Sequence, residues 1–120
     1  MILVDTSVWI NHLRKGDRKL TGVLREGIVI CHPFVIGELA CGNLKNRAEI
    51  LALLTTLPAA TVASHEEVLH LVSDRKLPGK GLGWIDVHLL ASALLSRSAL
   101  WTRDKALGAV AETLQVGYAG

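Results

Sequence analysis

Four acidic residues lie within apolar stretches of the sequence, where an ordinary surface carboxylate is not expected. Asp5 follows the run "ILV", Glu38 lies within "PFVIGELAC", Asp86 enters "WIDVHLLASALL", and Asp104 follows "ALWT". Asp5, Asp86 and Asp104 could each cap a helix or complement its dipole. Glu38 stands several residues inside its predicted helix, where it gains little from the dipole. It must therefore face solvent or a polar site.

The predicted order of elements brings these acids to one side of the molecule. Short apolar runs alternate with helical periodicity, which predicts βα units and a largely parallel sheet. In such a sheet the strand ends and the following helix starts share one edge, so Asp5 and Asp104 meet there if their strands are neighbours. Two carboxylates ~5 Å apart repel by about 3 kcal/mol at an effective dielectric of about 20. Four converging acids therefore predict bound cations.

Ligation by carboxylate oxygens selects hard ions, Mg²⁺ or Mn²⁺, over zinc. Such a site suits phosphodiester hydrolysis, because one metal lowers the pKa of an attacking water and a second, ~4 Å away, stabilises the leaving oxygen. Thr6, Ser7 and Thr102 supply nearby hydroxyls that can orient a carboxylate, a metal-bound water or a phosphate.

The set "LVDTS", Glu38, Asp86 in "GLGWIDVHLLASAL" and Asp104 in "LWTRD" resembles the acidic signature of PIN-domain ribonucleases, specifically the VapC toxins of toxin–antitoxin pairs. The resemblance covers nearly the whole chain in order, spacing and length. It implies a three-layer α/β/α sandwich with a short, mainly parallel sheet. It also implies an endoribonuclease dependent on Mg²⁺ or Mn²⁺, a cognate antitoxin and a homodimer. By the same resemblance the four acids match the catalytic, metal-binding residues, and Thr102 matches the hydroxyl two positions before the last acid.

Length and composition bound these expectations. At 120 residues and 50% hydrophobic content, the chain predicts a single domain over residues 1–120 with a real core. The net charge of +2 is too small to predict nucleic-acid binding by itself. For a phosphodiesterase, however, Lys80 and Arg103 lie beside the acids in sequence and are predicted to hold the RNA backbone.

The chain carries signs of a cytoplasmic protein. Cys31 and Cys41 match neither a zinc pair nor a redox motif and are expected to be buried free thiols. The N-terminus lacks the features of a signal peptide, and no run approaches ~18 apolar residues. We therefore expect a soluble protein with no membrane partner.

Other catalytic arrangements fit less well. His65 and His70 are five positions apart, not four, which excludes a zincin helix. No G-x-S-x-G elbow or phosphate-binding loop is present. His88, two residues after Asp86, is predicted to be an interior or interface histidine in preference to a base.

The three tryptophans, Trp9, Trp84 and Trp101, each lie within apolar sequence. Core packing is the leading interpretation for them, a dimer or antitoxin surface the second, and base stacking the third.

Two functions from other classes stay open at this point. A receiver-like signalling domain would need a phospho-acceptor aspartate at the end of a middle strand, and the segment "ATVAS" offers no acid. A catalytically silent binding module would keep the fold without turnover. Titration of metal in the presence of RNA separates such a module from the enzyme.

Overall fold

A short parallel sheet forms the centre of the protein in a computed structural model that describes residues 1–119. Strand β1 (Ile2–Val4) lies between β2 (Val29–Ile30) and β3 (Ala99–Trp101) and runs parallel to both. Ile2 is in register with Val29 on one side and with Ala99 on the other. The strands that precede Asp5 and Asp104 are therefore neighbours, as the convergence of these acids requires.

One further segment pairs with each edge of this sheet through a single parallel bridge. Cys31 bridges to Ala59, and Leu100 bridges to Gly117. The apolar composition of "ATVA" (60–63) and "QVGYAG" (115–120) makes both segments strand candidates, but within the described residues the first has only the bridge at Ala59, directly before it, and the second only the bridge at Gly117. With these bridges included, the chain adds β2 and then the Ala59 segment on one side of β1. It then crosses to the other side of β1, where it adds β3 and then the Gly117 segment. The β1–β3 boundary is the switch point of a doubly wound sheet, where ligands bind beyond the strand ends.

Seven helices are present in the described residues: α1 (Thr6–Lys15), α2 (Arg18–Arg25), α3 (Pro33–Cys41), α4 (Arg47–Thr55), α5 (His65–Asp74), α6 (Trp84–Ser96) and α7 (Lys105–Thr113). Right-handed crossovers place α1 to α4 on one face of the sheet and α5 to α7 on the other. The packing agrees, because α3 contacts α1 and α4, whereas α5 contacts α6. The predicted three-layer sandwich is confirmed. None of the helices in residues 1–119 has the length and apolar character to cross a bilayer.

Capping residues that can be recognised in the sequence mark the starts of α5 and α3. Ser64 Oγ accepts a hydrogen bond from the Glu67 N–H at 3.1 Å, and the Glu67 carboxylate accepts one from the Ser64 N–H at 2.8 Å. This reciprocal pair begins α5. Pro33 occupies the first turn of α3, and the preceding His32 caps that helix by accepting the Phe34 N–H on Nδ1 at 2.9 Å.

The core is built from aliphatic side chains of the strands and of α6. All of β1 is buried, and α6 is buried continuously from Val87 to Ala93, which confirms the predicted central helix. Two expectations were wrong: Cys41 is exposed, and Trp84 leaves 41% of its surface in solvent. Both residues lie at a helix end, where fewer neighbours cover a side chain.

Leu100→Ala is expected to lower the free energy of unfolding by about 2 to 5 kcal/mol, because Leu100 is only 1% exposed and its loss opens a cavity in the central sheet. The matched control is Leu53→Ala, at a leucine that is 57% exposed, and should change stability by no more than about 0.5 kcal/mol. Urea denaturation measures both. Equal losses in the two variants would contradict this placement of the core.

Candidate active site

Asp5 is a buried carboxylate that does not cap its helix. It occupies the N-cap position of α1 but makes no side-chain capping bond, and only 7% of its surface is exposed. Instead, Oδ2 accepts hydrogen bonds from Ser7 Oγ and from Thr102 Oγ1, each at 2.7 Å. Helix capping therefore does not explain Asp5, whose carboxylate is fixed between the end of β1 and the end of β3.

The same two hydroxyls tie the segment after β3 to Asp5. Thr102 Oγ1 accepts the Asp104 N–H at 3.0 Å, and Ser7 Oγ accepts the Arg103 N–H at 3.0 Å. Each hydroxyl thus accepts from a backbone amide and donates its proton to Asp5, which sets its orientation. The start of α7, with Asp104, is held beside Asp5 by this network.

Asp104 and Asp86 each use one carboxylate oxygen for a helix start. Asp104 Oδ1 accepts the Leu107 N–H at 3.2 Å, and Asp86 Oδ2 accepts the Gly83 N–H at 2.9 Å. Within the described residues, these bonds leave Asp104 Oδ2 and Asp86 Oδ1 without a hydrogen-bond donor. Capping and ligand binding are therefore compatible roles for the two residues.

Electrostatics link Asp86 to the other two aspartates. Burial raises the pKa of the Asp86 carboxyl above its ordinary value, the Gly83 N–H lowers it in part, and the charges of Asp5 and Asp104 raise it further. Asp86 on α6 is thus close enough to be repelled by both Asp5 and Asp104, although α6 reaches the sheet from the face opposite to α3.

Glu38 enters from that opposite face. It is exposed on α3, and its Oε1 accepts a hydrogen bond from Thr6 Oγ1 at 2.6 Å. Since Thr6 follows Asp5 directly, this bond attaches Glu38 to the first turn of α1. Glu38 also lines a cleft of about 600 Å³ between α1, α3 and the start of α4, together with Arg14 and Lys45.

The donor chemistry fits a hard divalent cation. Within residues 1–119, no three His, Cys, Asp or Glu side chains are already gathered tightly enough to hold a metal ion. Ligation of Mg²⁺ needs oxygens at about 2.1 Å from the ion. Repulsion between carboxylates acts over several ångströms, so Asp86 can be repelled by Asp5 and Asp104 although the acids are not yet gathered at ligand distance. Carboxylates that repel one another and are oriented by hydroxyls suit such an ion. Those that would hold it are Asp5, Glu38, Asp86 and Asp104.

Comparison with known proteins decides the family. The family model described as the PIN domain matches residues 2–113. The chain belongs to the PIN-domain family. Ribonuclease VapC32 of Mycobacterium tuberculosis, from strain CDC 1551 / Oshkosh and from strain ATCC 25618 / H37Rv, is 53% identical to it over 110 residues. The match covers 91% of this chain and 89% of each relative. The predicted family and ribonuclease class are confirmed, and neither the receiver-like domain nor the silent module is favoured.

The two basic residues predicted to hold RNA are exposed, and each lies in a segment that leads into a helix bearing or capped by one of the acids. Arg103 lies between Thr102 and Asp104, and Lys80 lies in the glycine-rich segment before α6. Within residues 1–119 their hydrogen bonds are made by the backbone amides: the Arg103 N–H donates to Ser7 Oγ at 3.0 Å, and the Lys80 N–H donates to the carbonyl of Leu77 at 3.1 Å. Their contact with RNA stays a prediction.

His32, just after β2, is a buried histidine that was not predicted from the sequence. Burial, and then the neighbouring His88, lowers the pKa of His32 to about 4, so its ring is neutral at pH 7. Its Nδ1 caps α3, and its buried Nε2 has no partner within residues 1–119. His88 is buried as well, in agreement with the predicted interior histidine, and its pKa is lowered by burial and then by His65. The sequence did contain one signal for this cap: proline is favoured at the first position of a helix, so the residue before Pro33 is expected at the N-cap.

Asp86→Asn is expected to stabilise the metal-free PIN domain at pH 7. The folded state has the higher pKa at Asp86, so ionisation of this carboxyl disfavours folding. The stability of the wild type therefore falls as the pH rises through that pKa. Asparagine stays neutral and retains an oxygen for the Gly83 N–H. The gain should vanish near pH 3, where the carboxyl is protonated in both states.

Urea denaturation at a series of pH values measures this difference, with Asp74→Asn on the exposed surface of α5 as the control. Asp74→Asn should show no comparable pH-dependent gain, because its partner Arg75 is also exposed. An Asp86→Asn gain that grows toward low pH would have the wrong sign for mutual repulsion.

Proposed function

We propose that this protein is a divalent-metal-dependent endoribonuclease, the toxin of a toxin–antitoxin pair, and that Asp5, Glu38, Asp86 and Asp104 are its metal-binding and catalytic residues. The observation that carries the proposal is the buried Asp5 carboxylate, which accepts hydrogen bonds from two hydroxyls and makes no capping bond to α1. It lies at the switch point between β1 and β3, and Asp86 responds to its charge.

Each side chain has a distinct part in this proposal. Mg²⁺ or Mn²⁺, when bound, supplies a water of lowered pKa and stabilises charge on the leaving oxygen. Ser7 and Thr102 hold Asp5 Oδ2, which turns the carboxylate in one direction. Thr6 orients Glu38 in the same way from the start of α1. Capping keeps one oxygen of Asp86 and one of Asp104 fixed, so that the remaining oxygens face the reacting phosphate.

Substrate binding in this proposal uses the exposed cations beside the acids. Lys80 and Arg103 would contact phosphates on either side of the scissile bond, because both lie in segments that lead into acid-bearing helices. Such contacts release counterions, so RNA affinity should fall as salt increases. This pattern needs no large net charge, in accord with the value of +2.

The proposed partners follow from the same assignment. The relatives are named ribonuclease VapC32, and we assign to this chain the cognate antitoxin and the homodimer that the resemblance implied, together with the cytoplasmic location expected from its sequence. An antitoxin that covers the acids would exclude RNA from them. The exposed Leu95, with Leu71 and Leu94, lines a cavity of about 430 Å³ between α5 and α6, which offers apolar area for a subunit contact. Cys31 and Cys41 are free thiols, which is compatible with a reducing compartment.

Asp5→Asn should abolish cleavage of RNA and toxicity in cells while the fold persists, because asparagine still accepts from Ser7 and Thr102 but carries no charge for a cation. Cleavage is measured on purified protein, first with EDTA and then with added Mn²⁺ or Mg²⁺. Glu112→Gln, on the exposed side of α7, is the charge-matched control and should cleave normally. Full activity of Asp5→Asn, or cleavage by the wild type in EDTA, would refute the proposed function.

Thr102→Val should weaken Mn²⁺ binding roughly 10- to 100-fold, since it removes the hydroxyl that joins Asp5 to the Asp104 amide. Thr102→Ser keeps that hydroxyl and should restore most of the affinity. Titration calorimetry of both variants with Mn²⁺ gives the comparison. Equal affinities for the valine and serine variants would show that the hydroxyl does not orient a metal ligand.

A further inference from the structure

Trp84 presents a large aromatic ring to solvent in a fixed position. It is 41% exposed, whereas Trp9 is 4% and Trp101 is 9% exposed. The ring packs edge-to-face on His88, with centroids 4.9 Å apart, and leans on His65 at 5.1 Å. Because the rings of His88 and His65 pack against it, the indole of Trp84 is already fixed and needs no conformational change to offer its exposed surface to a ligand.

Trp84 belongs to a continuous row of rings that starts just after β2. The order is His32, Phe34, His88, Trp84 and His65, and successive centroids lie 4.9, 4.8, 4.9 and 5.1 Å apart. His32 follows β2, the strand next to β1, so the row begins at the same edge of the sheet as Asp5. It reaches solvent at Trp84 and His65.

The segment that leads into Trp84 has open space at its glycines and carries an exposed cation. Trp84 is the first residue of α6, two positions before Asp86. The preceding segment contains Gly79, where an added Cβ would meet no atom within 4 Å, and Gly81, where it would meet only the Ala106 side chain at 3.6 Å. Lys80 lies exposed between these two glycines. The His65 imidazole packs against the indole, and the segment that leads into Trp84 carries the exposed cation of Lys80; this combination favours a nucleotide over an apolar protein surface.

We propose that Trp84, supported by His65, is a base-stacking platform that holds one unpaired nucleotide next to the scissile phosphodiester of the RNA. Recognition of single-stranded RNA uses unstacked bases laid on aromatic side chains, and any base has a π-face for this contact. The inference rests on the proposed nuclease function and adds a residue that positions the substrate. It predicts that the enzyme needs a splayed base at a fixed distance from the cut.

The test compares Trp84→Leu with Trp84→Phe, which keeps an aromatic ring, on a set of short single-stranded RNAs that each lack one base. RNA binding is measured by fluorescence anisotropy in EDTA, and KM and kcat are measured with Mn²⁺. Trp84→Leu should weaken binding and raise KM roughly tenfold, with a smaller effect on kcat. Trp84→Phe should recover most of this loss. The difference between wild type and Trp84→Leu should disappear for the RNA that lacks the stacked base.

Three results would overturn the stacking platform. The first is an equal loss for every RNA in the set, the second a lower Mn²⁺ affinity of Trp84→Leu, and the third a change in its sedimentation coefficient, which would assign the ring to a subunit contact. Failure of the proposed function is separately visible. If wild type does not cleave with Mn²⁺ but binding in EDTA keeps its base-specific dependence on Trp84, the nuclease assignment falls and the stacking platform stands.

Discussion

Negative charge gathers where β1 and β3 end side by side, and the surrounding structure is arranged around it. A buried ionised carboxylate is costly without hydrogen bonds, and Asp5 obtains two from Ser7 and Thr102. These bonds stabilise Asp5 but do not remove its repulsion of Asp86, whose pKa is raised first by burial and further by the charges of Asp5 and Asp104. The fold thus tolerates an electrostatic cost that only a cation can offset, and this is the physical reason for placing the chemistry here.

The doubly wound topology explains why four residues so far apart in sequence can share one site. Asp5 and Asp104 follow adjacent central strands, Glu38 comes from a helix on one face, and Asp86 comes from a helix on the other. No single βα unit contains more than part of the set. The site that we propose is therefore complete only when both crossovers have packed on the sheet, which would tie metal binding to the whole fold.

Local physics made much of this fold predictable from the sequence. The capping pair of Ser64 and Glu67 and the proline at the start of α3 act through neighbours in the chain, so their signals are visible there. The edge segments became single bridges because their pairing depends on partners from distant parts of the chain. Which hydroxyl serves which acid was also hidden, since Thr102 and Asp5 are 97 positions apart. The exposure of Trp84 was missed because the apolar sequence of α6 marks no solvent face.

The partners of the acids also bear on how the site stays available to a metal. Hydroxyls and backbone amides orient the four carboxylates, and within residues 1–119 no Lys or Arg forms an ion pair with any of them; Arg75 pairs instead with Asp74 on the exposed α5. A fixed ammonium or guanidinium would neutralise the carboxylates permanently and compete with a divalent ion for their oxygens. Neutral donors restrict the rotation of each carboxylate and leave its charge in place. A site built in this way keeps both its geometry and its attraction for a cation, which is what reversible metal binding requires.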